Sequence, residues 1–171
     1  MINDINKFNQ LKDNIKIMIF DVDGTLTDGK IYMSNSGELF KAFNIKDGCG
    51  IHDLLPKKEI VPVIITARSS DIVKNRCKEL NISECWQGVR DKLGKMREIA
   101  EKYGIAPDEN DVYREIAYVG DDIIDIKCME HCGIIACPAD AVAEVKSISN
   151  FISVYNGGDG AVREFIEQIV Y

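Results

Sequence analysis

An apolar, β-branched run that ends in two aspartates constrains the fold of this chain more than any other feature. Residues 15–20 read Ile-Lys-Ile-Met-Ile-Phe, and an Asp-Val-Asp-Gly-Thr segment beginning at Asp21 follows directly. A short run ended by acids and glycine predicts a buried parallel strand that opens into a loop. Ligands bind at that end of open α/β sheets, and Asp21 and Asp23 on one loop can hold a hard cation such as Mg²⁺. The alternative is that both aspartates only form the turn before Gly24.

A second acidic cluster follows another predicted strand. The apolar residues 116–119 lead into Gly120, Asp121 and Asp122, and Asp125 comes three residues later. Carboxylates gathered at one end of a sheet repel one another unless a cation compensates them. The second cluster therefore favours a metal site over a pair of turn formers.

Two further polar residues follow strand-like segments that lie between the acidic clusters. Thr66 comes directly after the apolar residues 61–65, and Lys92 follows the short segment 84–86. A hydroxyl and an ammonium suit phosphate oxygens, because charge-assisted hydrogen bonds to phosphate are strong. The ordered set of acids, threonine, lysine and acids is far more specific for phosphate chemistry than any one of its members.

Strand-like and helix-like segments alternate along the chain. Strands are predicted near residues 15–20, 60–65, 84–86, 116–119, 134–136 and 151–153. Helices are predicted near residues 47–57, 69–81, 91–104, 122–131, 141–147 and 159–170. This alternation indicates right-handed βαβ units and an α/β fold with a doubly wound, largely parallel, Rossmann-like sheet. A chain of 171 residues, 46% of them hydrophobic, can bury the core of a single domain, here residues 1–171.

One segment, residues 30–43, breaks the alternation and predicts a protruding β-hairpin, because two strand-like runs flank a polar turn that contains glycine. The intervals from Asp23 to Thr66 and from Lys92 to Gly120 are too short to hold a cap domain as well. An uncapped site would be open to water, and the apolar hairpin would be an exposed edge. Association of protomers through their hairpins would remove both difficulties. The alternative is a surface flap on a monomer.

Charge and composition exclude several classes of partner. The net charge of −7 argues against a general nucleic-acid or anionic-membrane surface. No apolar run approaches the roughly 20 residues that a bilayer-spanning helix needs, and residues 1–7 lack the pattern of an export signal. We therefore expect a cytoplasmic protein without a membrane or nucleic-acid partner, whose cysteines are reduced.

Five segments together resemble the haloacid dehalogenase-like superfamily, most of whose members are Mg²⁺-dependent phosphohydrolases that act through an aspartyl-phosphate. They are residues 21–29, 41–48, 65–68, 118–122 and 157–164. Within that superfamily the chain looks most like the small phosphatases of 3-deoxy sugar-acid biosynthesis. The resemblance implies hydrolysis of a sugar-acid phosphate, with 3-deoxy-D-manno-octulosonate 8-phosphate (KDO 8-phosphate) as the expected substrate. It also implies a homotetramer whose hairpins close neighbouring sites. A nine-carbon substrate, KDN 9-phosphate or N-acylneuraminate 9-phosphate, is the alternative.

The same resemblance implies a role for each polar residue at the strand ends. Asp21 would be the nucleophile, and Asp23 the general acid and then the general base. Thr66 and Lys92 would hold the phosphoryl oxygens. The Mg²⁺ ligands would be Asp21, the backbone carbonyl of Asp23, and Asp121.

Other residues are implied as supports and substrate contacts. Asp122 and Asp125 would orient the metal's water ligands and Lys92, unless Asp125 is only an acid favoured by the helix dipole. The implied substrate contacts are Asn44, Ile45, Lys46, Asp47, Gly48, Arg68 and Arg76. Arg68 and Arg76 are spaced like residues two helical turns apart, so we expect both guanidinium groups on one side, toward a sugar carboxylate. A solvated helix face is the alternative for Arg76.

Arg68 also bears on the choice of substrate. Relatives that act on the nine-carbon acid typically carry glutamate at this position, and those that act on the octulosonate carry arginine. Three departures from the octulosonate pattern weaken this choice. His52 stands in place of an arginine, Ala67 in place of a glycine, and the sequence ends at Tyr171 without a longer tail.

Two functions from other classes compete with this interpretation. A receiver domain is also phosphorylated on aspartate, but its acceptor lies on a middle strand, whereas Asp21 opens the series here. A non-catalytic partner of a CMP-sugar-acid synthetase would not need the complete set of acids, threonine and lysine. Both functions are disfavoured, and phosphate release would separate a phosphatase from either.

Overall fold

The computed structural model describes residues 5–171, and within them a parallel sheet forms the centre of the molecule. The strands of this range are β1 (Ile17–Phe20), β2 (Tyr32–Ser34), β3 (Gly37–Phe40), β4 (Val61–Ile65), β5 (Glu84–Trp86), β6 (Tyr113–Val119), β7 (Cys132–Cys137) and β8 (Phe151–Ile152). Six of them form the sheet in the order β5-β4-β1-β6-β7-β8, with every neighbouring pair parallel. All residues of β1 are buried, as expected of a strand inside a sheet covered on both faces.

Helices cover both faces of the sheet, so two apolar cores form. In the described range the α-helices are α1 (Ile5–Leu11), α2 (Ile45–Cys49), α3 (Asp71–Glu79), α4 (Lys92–Lys102), α5 (Ile123–Met129), α6 (Ala143–Ile148) and α7 (Ala161–Val170). One core contains Phe20 and Phe165, and the other contains Ile19 and Met96. Ile19 and Phe20 enter different cores because successive side chains of a strand point to opposite faces. The predicted doubly wound α/β fold is confirmed.

The helix predicted over residues 47–57 is wrong as a single element. α2 ends at Cys49, a π-helical turn spans Gly50–Leu54, and a 3₁₀ turn spans Leu55–Lys58. Pro56 lies at the start of the 3₁₀ turn, where its missing N–H removes no bond that the turn needs. The segment ends at Glu59, whose φ of 56° is left-handed.

The predicted hairpin is present as a small antiparallel sheet of β2 and β3, separate from the main sheet. The rings of Tyr32 and Phe40 stack across it with centroids 4.3 Å apart. Ile31, Met33 and Leu39 each expose more than half of their surface. Among residues 5–171, none of the helices has the length and apolar character needed to cross a bilayer.

Candidate active site

The ends of three adjacent strands bring the polar residues of the sequence motifs to one edge of the sheet. Asp21 follows β1, Thr66 follows β4, and Asp121 lies two residues after β6. Because β4, β1 and β6 are parallel neighbours, their carboxyl ends meet at that edge. A cleft of about 280 Å³ opens there. Its lining includes Asp21, Asp23, Gly29, Ile31, Thr66, Ala67, Arg68, Asp121, Asp122 and Ile124.

The loop after β1 is shaped by short hydrogen-bonded turns and by one glycine. The backbone N–H groups of Thr25, Leu26 and Thr27 all donate to the carbonyl of Val22. Gly24 has a φ of 96°, and a Cβ on it would lie 2.0 Å from Oδ2 of Asp121. Only glycine therefore allows the first loop to approach the second acidic cluster this closely.

Three carboxylates converge at the base of the cleft. Asp21, Asp121 and Asp125 each place an oxygen within 4.8 Å of the others. Burial raises the pKa of Asp21 to about 7, and the charge of Asp125 adds to this effect while Lys92 opposes it. Burial also raises the pKa of Asp121 to about 7, reinforced by Asp21 and Asp125. The cluster carries more negative charge than Lys92 neutralises, and its oxygen donors fit a hard divalent cation.

Lys92 links two of these carboxylates from the first turn of α4. Its Nζ donates to Oδ1 of Asp21 at 2.7 Å and to Oδ1 of Asp125 at 2.6 Å. The Lys92 side chain is only 2% exposed. Although burial lowers the pKa of Lys92, the charges of Asp21 and Asp125 outweigh it and raise that pKa above its usual value. A buried, protonated lysine therefore lies beside Asp21.

Asp125 is held by hydrogen bonds on both of its carboxylate oxygens. Besides Lys92, Oδ1 accepts from the hydroxyl of Tyr118 at 2.8 Å, and Oδ2 accepts from the backbone N–H groups of Asp121 and Asp122. Asp122 caps the N-terminus of α5, accepting from the N–H of Ile123 at 2.7 Å. The two interpretations of Asp125 are thus compatible, since it is an acid of the first helical turn and also a partner of Lys92.

Asp23 belongs to a second group of charges on the other side of the cleft. Lys41, just after β3, contacts Asp23 and also pairs with Glu38 at 3.0 Å. Arg68 donates through Nη2 to Glu38 at 2.9 Å, and its Nε lies 4.0 Å from Oδ2 of Asp23. Sequence reasoning did not assign Lys41 or Glu38 to the site. The only signal was that Lys41 opens the motif at residues 41–48.

The structure separates the implied substrate contacts into two places. Arg68 lines the cleft, whereas residues 44–48 do not. Asn44 caps α2, and Asp47 is buried and accepts the backbone N–H of Arg163 at 2.7 Å. Ile45 and Lys46 are exposed. Within one protomer, therefore, this segment lies beside the cleft rather than in it.

The expected helical relation between Arg68 and Arg76 is wrong. α3 begins only at Asp71, so Arg68 lies on the preceding loop. Arg76 packs over the ring of Phe43 and pairs with Glu79 at 2.9 Å. Its side chain is 15% exposed, so it does not lie on a solvated helix face either. Arg76 contacts the segment that carries Phe43 and is absent from the lining of the cleft.

Similarity to known proteins defines the structural class of this chain. No protein-family model matches the chain. A haloacid dehalogenase superfamily hydrolase from Legionella pneumophila is 32% identical and superposes with a TM-score of 0.88 over 96% of this chain and 87% of that one. With the sheet order and the acids at its edge, this likeness defines a haloacid dehalogenase-like fold of the phosphatase type.

More specific relatives give the family. The chain is 41% identical over 158 residues to 3-deoxy-D-manno-octulosonate 8-phosphate phosphatase KdsC of Escherichia coli K12, covering 92% of this chain and 80% of the relative. The solved enzyme of the same name from Moraxella catarrhalis, in complex with magnesium, phosphate and KDO, is 37% identical with a TM-score of 0.89. The match covers 97% of this chain and 91% of that one. The chain belongs to the 3-deoxy-D-manno-octulosonate 8-phosphate phosphatase family, so the resemblance seen in the sequence is confirmed. The nine-carbon alternative receives no support from these relatives.

Proposed function

We propose that this chain is a Mg²⁺-dependent phosphatase that hydrolyses KDO 8-phosphate to KDO and phosphate, with residues 1–171 acting as one catalytic domain. The observation that carries the proposal is the pair of carboxylates, buried Asp21 and half-buried Asp121, that converge beside the ammonium of Lys92 at the ligand-binding edge of the sheet. The relatives named for this reaction support the choice of substrate.

The metal would be held by Asp21, Asp121 and the backbone carbonyl of Asp23. Bound there, Mg²⁺ would offset the repulsion between the Asp21 carboxylate and a phosphate dianion. Asp125 is a poorer ligand because both of its oxygens already accept hydrogen bonds. We assign Asp125, with Asp122 at the helix cap, to the orientation of Lys92 and of the metal's water ligands.

The reaction would proceed in two displacements at phosphorus. In the first, a carboxylate oxygen of Asp21 forms a bond to phosphorus, the bond from phosphorus to the sugar oxygen breaks, and Asp23 donates a proton to that oxygen. In the second, Asp23 takes a proton from water, the water oxygen bonds to phosphorus, and the bond to Asp21 breaks. Thr66 and Lys92 would hold the phosphoryl oxygens in both steps.

The direct test is phosphate release from KDO 8-phosphate and KDN 9-phosphate, measured as kcat/KM for the wild type and for Arg68→Glu. We expect the wild type to prefer the eight-carbon substrate, for which the matching relatives are named, and we expect Arg68, which lines the cleft with its side chain 38% exposed, to contribute to this preference. Arg68→Glu should lower the preference about tenfold, the effect of one charge-assisted contact.

Three results would contradict this assignment. A wild type that prefers the nine-carbon substrate, or a ratio that Arg68→Glu leaves unchanged, would refute the substrate assignment. A stable phosphoprotein formed without phosphate release would instead favour a phosphoacceptor switch. Arg97→Glu is the matched control, since Arg97 pairs with Asp111 on an exposed surface.

Mg²⁺ binding should strengthen as the pH rises. Because the pKa values of Asp21 and Asp121 are raised to about 7, both groups are largely protonated at pH 6, and Mg²⁺ must displace protons to bind. At pH 8 both are ionised, so we expect the affinity to be about tenfold higher or more than at pH 6. Calorimetry in two buffers of different ionisation enthalpy measures both affinity and proton release. An affinity that is equal at pH 6 and pH 8 would contradict the charge argument.

We also propose a homotetramer that associates through residues 30–43. Exposed apolar side chains on the hairpin support it, as does Ile31, which lines a cleft that no second domain formed by residues 5–171 covers. The exposed residues Ile45 and Lys46 would then be able to contact a neighbouring protomer. Residues 44–48 would in this way bind substrate held in the neighbour's cleft. Small-molecule recognition would therefore involve two copies of the chain.

Charged substitutions on the hairpin should dissociate this assembly. The Met33→Lys/Leu39→Lys variant should be monomeric by light scattering and should show a raised KM, because four charges per pair of hairpins cannot be buried together. Val154→Lys is the control, since Val154 is equally exposed but lies outside the hairpin. A wild type that is monomeric and fully active at assay concentration would rule out the proposed closure.

A further inference from the structure

Lys41 is a buried cation that the implied roles leave unused. It follows β3 directly, at the base of the hairpin, and its side chain is only 2% exposed. Its ammonium contacts Oδ1 of Asp23 and pairs with Glu38 at 3.0 Å. A buried ammonium is stable only when it is paired, so these two carboxylates fix where Lys41 lies.

The partner of Lys41 on the hairpin is itself held in place. Glu38 accepts a hydrogen bond from Nη2 of Arg68 at 2.9 Å. Burial raises the pKa of Glu38, but hydrogen bonds from Ser70 and Lys41 and the charges of Lys41 and Arg68 outweigh it and hold that pKa below its usual value. Two acidic and two basic side chains therefore form one group, in which Lys41 contacts Asp23 from the side of the hairpin.

This arrangement restrains one oxygen of Asp23. Lys41 engages Oδ1, while among residues 5–171 the charged partner of Oδ2 is Arg68, whose Nε lies at the longer distance of 4.0 Å. Asp23 lines the cleft together with Asp21. A carboxylate held through one oxygen keeps the other in a defined position relative to a phosphoryl group on Asp21, and such positioning matters because a misplacement of about 1 Å can cost about 100-fold in rate.

We propose that Lys41 is a positioning residue for proton transfer by Asp23, holding Oδ1 so that Oδ2 exchanges the proton with the leaving sugar oxygen. The inference rests on the proposed function, since it requires Asp23 to act on the leaving group. It also gives the hairpin a part in the chemistry, because Lys41 lies at the end of β3.

The leaving group provides a readout that a purely structural role would not change. The sugar alkoxide of KDO 8-phosphate needs a proton as it departs, whereas 4-nitrophenyl phosphate releases a stable phenolate that does not. The parameter kcat/KM reports steps up to the first irreversible one, here the formation of the aspartyl-phosphate. A misplaced Asp23 should therefore slow the first substrate far more than the second.

The experiment compares wild type and Lys41→Met on both substrates, with oligomeric state measured in parallel. We expect kcat/KM for KDO 8-phosphate to fall about 100-fold more than kcat/KM for 4-nitrophenyl phosphate, and Lys41→Arg to restore most of the difference. Lys58→Met is the control, because Lys58 pairs with Asp13 on the surface at 3.5 Å and does not line the cleft. Acetyl phosphate replaces the aryl ester if the aryl group does not enter the cleft.

Equal losses on both substrates, or no loss on either, would overturn the role of Lys41. If Lys41→Met does not fold, Lys41→Gln takes its place. The measured quantity is again the loss of kcat/KM on KDO 8-phosphate divided by the loss of kcat/KM on 4-nitrophenyl phosphate. A wild type that cleaves neither substrate would refute the proposed function itself, so the two failures are distinguishable.

Discussion

Asp21→Asn is expected to lower kcat for KDO 8-phosphate by about 10⁴-fold or more while the fold is retained. An amide is not a nucleophile toward phosphorus, and no other carboxylate of the cleft has the position of Asp21. Its Oδ1 is 2.7 Å from Nζ of Lys92, which is suited to hold the phosphoryl group as it transfers. Asp121 is instead engaged by the hydroxyl of Thr25 at 3.1 Å.

The stability of Asp21→Asn should not fall at pH 8 without metal. Since burial raises the pKa of Asp21 to about 7, its charged form is unfavourable in the folded state, and this penalty develops as the pH rises from about 4 to 7. Asparagine removes the charge and with it the repulsion from Asp125. Thermal unfolding at pH 8, together with phosphate release, therefore separates lost chemistry from lost folding.

Asp13→Asn serves as the control for this variant, because Asp13 is far from the cleft and pairs with Lys58 on the surface. It should match the wild type in both activity and stability. Turnover of Asp21→Asn within about tenfold of the wild type, in a preparation free of contaminating phosphatase, would exclude Asp21 as the nucleophile.

Lys92→Met should be the most destabilising of the substitutions considered, and it should also inactivate the enzyme. Lys92 is the cation shared by Asp21 and Asp125, at 2.7 and 2.6 Å, and removing one partner of a buried ion pair costs about 3–5 kcal/mol. The charges of these aspartates raise the pKa of Lys92 above its usual value, so Lys92 itself stays protonated throughout pH 6–8 and would lose its charge only at far higher pH.

The loss of unfolding free energy caused by Lys92→Met should depend on pH. At pH 6 the carboxylates of Asp21 and Asp121, with pKa values of about 7, are largely protonated, so the absence of Lys92 should cost less than at pH 8. Mg²⁺ should recover part of the stability at pH 8, because it replaces some of the missing positive charge. Urea unfolding at both pH values, with and without Mg²⁺, measures each effect.

Lys95→Met is the matched control on the same helix. Lys95 pairs with Glu98 and lies over the ring of Trp86, with its Nζ 4.3 Å from the ring centroid, but both partners are exposed. Its loss should cost about 1 kcal/mol or less and leave activity intact. If Lys92→Met and Lys95→Met lose the same free energy of unfolding at pH 8, the buried ion pairs of Lys92 do not stabilise the fold by the expected amount of about 3–5 kcal/mol.

The sequence by itself determined the main sheet and the grouping of its polar residues. Residues 15–20 and 61–65 are mostly apolar and β-branched, which favours buried strands, and the aspartate or threonine that follows each run marks where the strand ends and a polar loop begins. Parallel topology then sends these residues to a common edge, so Asp21, Thr66 and Asp121 meet in the structure. Local pattern and chain order suffice for this much, because each strand is defined by its own residues.

The tertiary structure alone decided how the charges pair. Lys92 and Asp125 are separated by 33 positions, and Lys41 and Asp23 by 18, and nothing local in either segment specifies its partner. It also decided that Arg76 and Asp47 lie outside the cleft, since Arg76 packs on Phe43 and Asp47 is buried against the backbone of Arg163. Backbone propensity depends on neighbouring residues. The partner of a buried charge depends on which distant segments the packed core brings within a few ångströms, where an unpaired charge would be too costly to bury.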